Sequence, residues 1–242
     1  MTRTLATARR VLQQLSHDKR SIALIVVLPS LLLFLFKYVY DGNPVVFNRI
    51  GPQMLGLFPF IIMFLITSVT MVRERTSGTL ERLLTTPLKR GELIVGYGIA
   101  FGFAALIQSL VSSAVAIWVL NLEVQTPWVV VLFAVVDAVL GTALGLLMSA
   151  FAVTEFQAVQ FMPLIVVPQI LLCGLLAPRD TMSGFLYGLS NFMPLSYVTD
   201  AFTAARSTSG LSDVMSRDLA ILVGCCIAAL TLASLTLRRR TP

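Results

Sequence analysis

The sequence predicts an all-α polytopic membrane protein with six transmembrane helices, and three observations carry that prediction. Of its 242 residues 57% are hydrophobic and only 12% charged, whereas soluble domains average about 45–50% apolar and about 25% charged residues. The apolar residues gather in six runs, each long enough for the roughly 20 residues that cross a bilayer. The basic residues flank those runs instead of forming a soluble face, so the net charge of +6 is read as topology and not as a nucleic-acid surface. The spans consume the length, which leaves one domain over residues 1–242 and no separate catalytic domain.

Taken in order, residues 1–20 place Leu5, Ala8, Leu12 and Leu15 at 3-4-3 spacing, with Arg9, Arg10, Gln13 and Gln14 off that stripe, the pattern of an amphipathic helix lying at the inner membrane surface. No cleavable signal peptide is expected, because Arg3, Arg9, Arg10, Lys19 and Arg20 precede the first span without a short apolar core and cleavage site. The spans are expected at about 21–40, 53–72, 93–120, 128–149, 157–177 and 218–237. With both termini cytoplasmic, thirteen of the eighteen Lys and Arg residues fall inside, and the outer positions keep Lys37, Arg49, Arg179, Arg206 and Arg217.

The stretch 178–217 tests this arrangement, since 185–205 is apolar enough for a seventh span. Asn191, Pro194 and Asp200 argue against one, and a seventh crossing would carry Arg238, Arg239 and Arg240 outside. It is read as two short helices split at Pro194, entering the outer leaflet and returning.

Between the second and third spans lies a charged island, 73–92, in which Leu80, Leu83 and Leu84 recur at i, i+3 and i+4 beside Glu81 and Arg82. A short helix there shows one apolar ridge to a partner outside the bilayer.

The chemistry within the spans is sparse. No G-x-x-x-x-G-K-[ST] loop occurs, and His17 is the one histidine, which argues against a nucleotide site or a two-histidine metal site in this chain. Cys173, Cys225 and Cys226 lie in apolar runs and are read as free thiols. Asp137 falls near the middle of the fourth span, where a bare carboxylate costs about 2.5–3.5 kcal/mol on insertion scales; it either recognises a cationic substrate, relays protons or bonds a neighbouring hydroxyl. A protease dyad would need a second acid at that depth, and Glu155 lies at the end of the hairpin between spans four and five. Two G-x-x-x-G patterns, Gly98–Gly102 and Gly141–Gly145, permit close helix contact. Phe60, Phe64, Thr67 and Met71 share one face of span two, either a wall for a bulky substrate or ordinary packing. Pro163, Pro168, Gln157, Gln160 and Gln169 make span five kinked and partly polar, as a pathway helix would be.

Two motifs then become specific. Arg73-Glu74-Arg75, Gly78-Thr79-Leu80-Glu81, Leu84-x-x-Pro87 and Gly91-Glu92-Leu93, together with Cys173-Gly174, Pro178-Arg179, Ser183-Gly184 and Asn191-x-x-Pro194-Leu195-Ser196-Tyr197 followed by Asp200-Ala201, resemble the signatures of ABC-2 type permeases, the transmembrane halves of bacterial ABC exporters. The resemblance covers nearly the whole chain and is nearest in flavour to the drug-resistance and nodulation lipo-oligosaccharide branch. It implies a type V exporter fold in the bacterial inner membrane: a connecting helix at 1–20, six spans, a coupling helix in 73–92 and an outer re-entrant pair in 178–217. Partners implied are two ABC ATPase subunits and a second permease chain, identical or paralogous. This chain would bind no cofactor and catalyse nothing alone, with ATP and Mg held by the ATPase. Glu74, Gly78, Thr79, Leu80, Glu81, Arg82, Leu83, Leu84 and Pro87 would serve coupling, the leucines in a groove on the ATPase. Phe60, Phe64, Thr67, Met71, Gln157, Gln160 and Asp137 would serve a pathway for a hydrophobic or amphipathic, drug- or lipid-like cargo. Polysaccharide or glycolipid export, or a non-transporting scaffold, are the alternatives. One departure stands out: a basic residue often follows the glycine at the position of Gly96, and here it is Tyr97.

Overall fold

In the computed structural model, which describes residues 3–78, 89–206, 208 and 210–236, the described residues form helices and no strand. The Thr79–Pro87 part of the expected coupling segment lies outside the described residues. Among the described residues nine α-helices follow one another: α1 (Arg3–His17), α2 (Lys19–Val39), α3 (Pro44–Thr76), α4 (Arg90–Ala114), α5 (Pro127–Ser149), α6 (Glu155–Leu172), α7 (Gly184–Ser190), α8 (Pro194–Ala204) and α9 (Asp213–Thr236). Six of them, α2, α3, α4, α5, α6 and α9, are long and apolar enough to cross a membrane, α4 together with a π-helical turn over Val115–Val119.

The local signals explain where helices begin and end. Asp18 caps α2, accepting from the Ser21 N–H at 3.2 Å and its hydroxyl at 2.7 Å, and these bonds hold its carboxyl below the usual range. Asn43 and Pro44 open α3, with the Asn43 side chain accepting from Val46 N–H. Thr154 caps α6 through Gln157 N–H at 3.2 Å. Gly174, at φ 90°, turns the chain out of α6, so that helix ends at Leu172 and not near 177.

The largest boundary correction is in α3. It starts at Pro44, well before the expected 53, and its 33 residues make a rod of about 50 Å at 1.5 Å per residue, longer than a bilayer core of about 30 Å. Asn48, Arg49 and Gln53 end the apolar span without ending the helix, because a polar side chain at a membrane boundary does not interrupt i→i−4 bonding. For the same reason α9 begins at Asp213, before its apolar stretch.

The core is built on the α3–α5 pair. A Cβ added to Gly141 would stand 2.4 Å from the carbonyl oxygen of Phe60, and one on Gly145 2.6 Å from that of Phe64, so the two backbones touch where the glycines face α3. Of the two expected close contacts this one forms. At Gly98 the nearest atom is a Leu230 side-chain carbon at 3.3 Å, and around Gly102 there is nothing within 4 Å. In contrast α2 buries only Ile25, Pro29 and Leu33 and leaves Leu24, Val27, Leu31, Phe34, Leu35 and Tyr38 exposed, a face suited to lipid.

The hairpin after α6 forms as expected, with α7 and α8 separated before Pro194. Helix α8 is drawn into the bundle: Leu195, Val198, Ala201 and Phe202 are buried, Phe202 meets Phe133 edge-on at 6.4 Å, and its ring lies against Gly56 of α3. Helix α1 is amphipathic but rotated from the expected stripe. Its buried face is Thr7, Ala8 and Val11, while Leu5 is exposed, because Thr7 fits over the bare backbone of Gly96 on α4.

Candidate functional site

The end of the bundle that carries α1 and the last turns of α3 is where charged side chains converge. Three consecutive residues at the last turns of α3 point about 100° apart, as helix geometry requires, and each engages a different neighbour. Arg73 forms a bidentate pair with Glu155 at the start of α6, at 2.9 and 3.0 Å. Glu74, nearly fully buried, faces Arg10 of α1 at 3.5 Å. Arg75 donates to the carbonyl oxygens of Ala150, at 3.3 Å, and Ala152 in the α5–α6 turn.

Arg10 has a second role. Its guanidinium donates to the Tyr97 hydroxyl at 2.6 Å and lies 5.8 Å from the centre of that ring, so one cation joins α1, α3 and α4. Tyr97 is fully buried. The positive charge beside it comes from α1, where Arg10 also stands next to Glu74. Beneath this junction is a cavity of about 230 Å³ lined in part by Val11, Gln14, Asp18, Arg73, Glu74 and Tyr97. Sequence reasoning missed Arg10, Tyr97 and Glu155 as partners. The signal for Arg10 was its place on the polar side of an amphipathic helix, which marks an exposed face and does not name its contacts.

The pathway residues are dispersed. Phe60, Phe64 and Thr67 are fully buried and Met71 is 2% exposed; none of them lines a described cavity. That face of α3 turns into the chain's own core, because the Gly141–Gly145 stripe draws the helix against α5. Asp137 is fully buried with both carboxylate oxygens lacking a hydrogen-bond partner, and one of them lies 3.1 Å from the Cβ position of Gly56; Thr142 and Ser109 spend their hydroxyls on backbone carbonyls. Gln157 and Gln160 are exposed on α6. Gln157 is committed locally, its side-chain oxygen accepting from Val153 N–H at 2.7 Å. Glu74 and Gly78 are within the described residues, Gly78 at φ 73° just past α3; Thr79, Leu80, Glu81, Arg82, Leu83, Leu84 and Pro87 are not. Asp137→Asn is expected to leave stability unchanged or to raise it, since it replaces a buried carboxyl group that has no partner. Thermal unfolding in detergent checks this.

Six long apolar helices define the chain as a multi-pass membrane protein. Residues 2–205 match the ABC-2 type transporter family, and the chain belongs to it. It is 28% identical over 152 residues to the probable multidrug ABC transporter permease YbhR of Escherichia coli, a match covering 62% of this chain and 41% of that protein. It is 23% identical over 184 residues to the linearmycin resistance permease protein LnrN of Bacillus subtilis, covering 73% and 46%. With nodulation protein J of Rhizobium meliloti it shares 27% over 177 residues, covering 71% and 65%. The chain thus spans less than half the length of the first two of these relatives.

Proposed function

We propose that this chain is the membrane-spanning permease of an ABC exporter, moving a hydrophobic or amphipathic, drug- or lipid-like molecule out of the cytoplasm or inner leaflet, in the inner membrane of a bacterium. The observation that carries this reading is the clamp on the end of α3. Arg73, Glu74 and Arg75 tie the segment leading into 79–88 to α6, α1 and the α5–α6 turn. A force applied to that segment is therefore delivered to three elements together. Separate ATPase subunits supply the force, with ATP and Mg on their side, and a second permease chain, identical or paralogous, completes the path. The charged end then faces the cytoplasm, with both termini there, and the hairpin end faces outward. In this reading Leu80, Leu83 and Leu84 form a coupling ridge that enters the ATPase, and closure of the ATPases moves α1 and α3 against α6. The permease names of YbhR and LnrN support the assignment, and their multidrug and linearmycin-resistance names support a drug-like cargo.

Leu83→Asp tests the reading. It spoils only an apolar ridge outside the membrane, so the protein is expected to fold and insert while co-purification of the ATPase and ATP-driven efflux both fall at least tenfold. If both survive, the docking assignment is wrong.

A further inference from the structure

At the hairpin end, the start of α3, the turn after α6 and helices α7 and α8 enclose a cavity of about 630 Å³. Its lining is divided. Val46, Ile50, Leu175, Leu176 and Pro178 form an apolar side, and Arg49, Gln53, Thr203 and Arg206 stand among its polar groups. Three arginines and two aspartates line it, and their pairing decides what charge is left.

Arg179 is saturated: it donates to Asp200, to Asn191 and, at 3.1 Å, to the Ser190 hydroxyl, and it lies over the Tyr187 ring. That network fixes the cavity floor and offsets the charge of Asp200. Arg49 and Arg206 are exposed, and neither has a carboxylate within ion-pair distance among the described residues. Asp180 is left as the one acid against two free guanidinium groups. Planar guanidinium pairs suit phosphate and carboxylate oxygens, and an apolar wall beside them suits a hydrocarbon chain. Leu176 on that wall is 68% exposed, which leaves the apolar side open to the surroundings of the bundle.

We infer that this cavity binds the anionic headgroup of an acylated molecule, Arg49 and Arg206 on the headgroup and the Val46–Ile50–Leu176 side against the first part of the chain. The ligand is an anionic phospholipid of the membrane. The placement of the cavity in the outer leaflet rests on the orientation proposed above; binding itself does not depend on an ATPase.

The test uses the full chain in nanodiscs or detergent, with native mass spectrometry of bound phosphatidylglycerol and phosphatidylcholine. The expected result is preferential retention of phosphatidylglycerol, weakened about tenfold in the Arg49→Gln/Arg206→Gln double variant and weakened less in Arg49→Lys/Arg206→Lys, which keeps the charge without the planar fork. Equal retention of the two lipids, or a preference unchanged in the glutamine variant, overturns the site, the latter because other basic surfaces would then account for it. Soluble glycerol phosphate that competes as well as the lipid overturns the acylated ligand. Lipid retention is measured on the chain alone, without an ATPase, so failure of the exporter reading and failure of the headgroup site are distinguishable.

Discussion

Gly141→Leu is expected to destabilise the bundle severely, with a fall in melting temperature in detergent that Gly102→Leu does not share. At Gly141 the first added carbon alone would lie 2.4 Å from a backbone carbonyl oxygen, against 3.4–4 Å for ordinary contact. The obstacle is main chain, so no side-chain rotation relieves it. Helices α3 and α5 must part by roughly 1 Å, and the mismatch spreads along the interface that also holds Gly145. Overpacking of this kind costs about 1–3 kcal/mol, and more where the backbone cannot yield. Gly102 has open space around it and serves as the matched control, since both positions lie inside apolar helices. Equal losses at the two sites would mean that the change acts through helix propensity and not through the α3–α5 contact.

Arg10→Ala is the second large effect expected. The Glu74 side chain is 4% exposed and the Arg10 side chain facing it 32%, so removal of the cation leaves a nearly buried carboxylate without its partner. Breaking fully buried pairs costs about 3–5 kcal/mol; partial exposure of Arg10, and a Tyr97 hydroxyl left free to donate to Glu74, reduce this to about 2 kcal/mol. The diagnostic variant is Arg10→Ala/Glu74→Gln. Removing the charge on both sides is expected to recover most of the loss, a coupling that a double-mutant cycle on unfolding reads directly. Additive losses would show that Arg10 acts by packing on Tyr97 alone. If α1 transmits motion as proposed, ATP-driven efflux falls in both the single and the double variant, because the tie between α1 and α3 is absent in each.

Most of the framework was legible because it is written in local chemistry. Apolar length gave the six spans, Pro194 split the hairpin, and Gly141 and Gly145 announced a close contact. Length and apolar character do not say which side of a helix meets which neighbour. Phe60, Phe64, Thr67 and Met71 read equally well as a pathway wall or as core, and packing of α3 on the glycine stripe turned them inward. The Arg10–Glu74 pair spans 64 residues, a separation at which no spacing rule applies, and the rotation of α1 that makes it depends on Thr7 finding the bare surface of Gly96. Polar residues near the span ends misled in the opposite direction. Arg49 read as an outer position before a span that began at Gln53, while the helix starts at Pro44 and runs through both.

That uninterrupted helix also links the two ends of the molecule thermodynamically. Arg49 and Glu74 stand on one helix, 25 positions apart, or about 38 Å at 1.5 Å per residue, with Pro52 and Pro59 the places where such a rod bends. A ligand that prefers one inclination of α3 at the hairpin end and a protein that prefers one at the charged end draw on the same equilibrium. Each must then alter the other's affinity by the same factor. Headgroup occupancy and grip on the motor would be two readings of a single tilt.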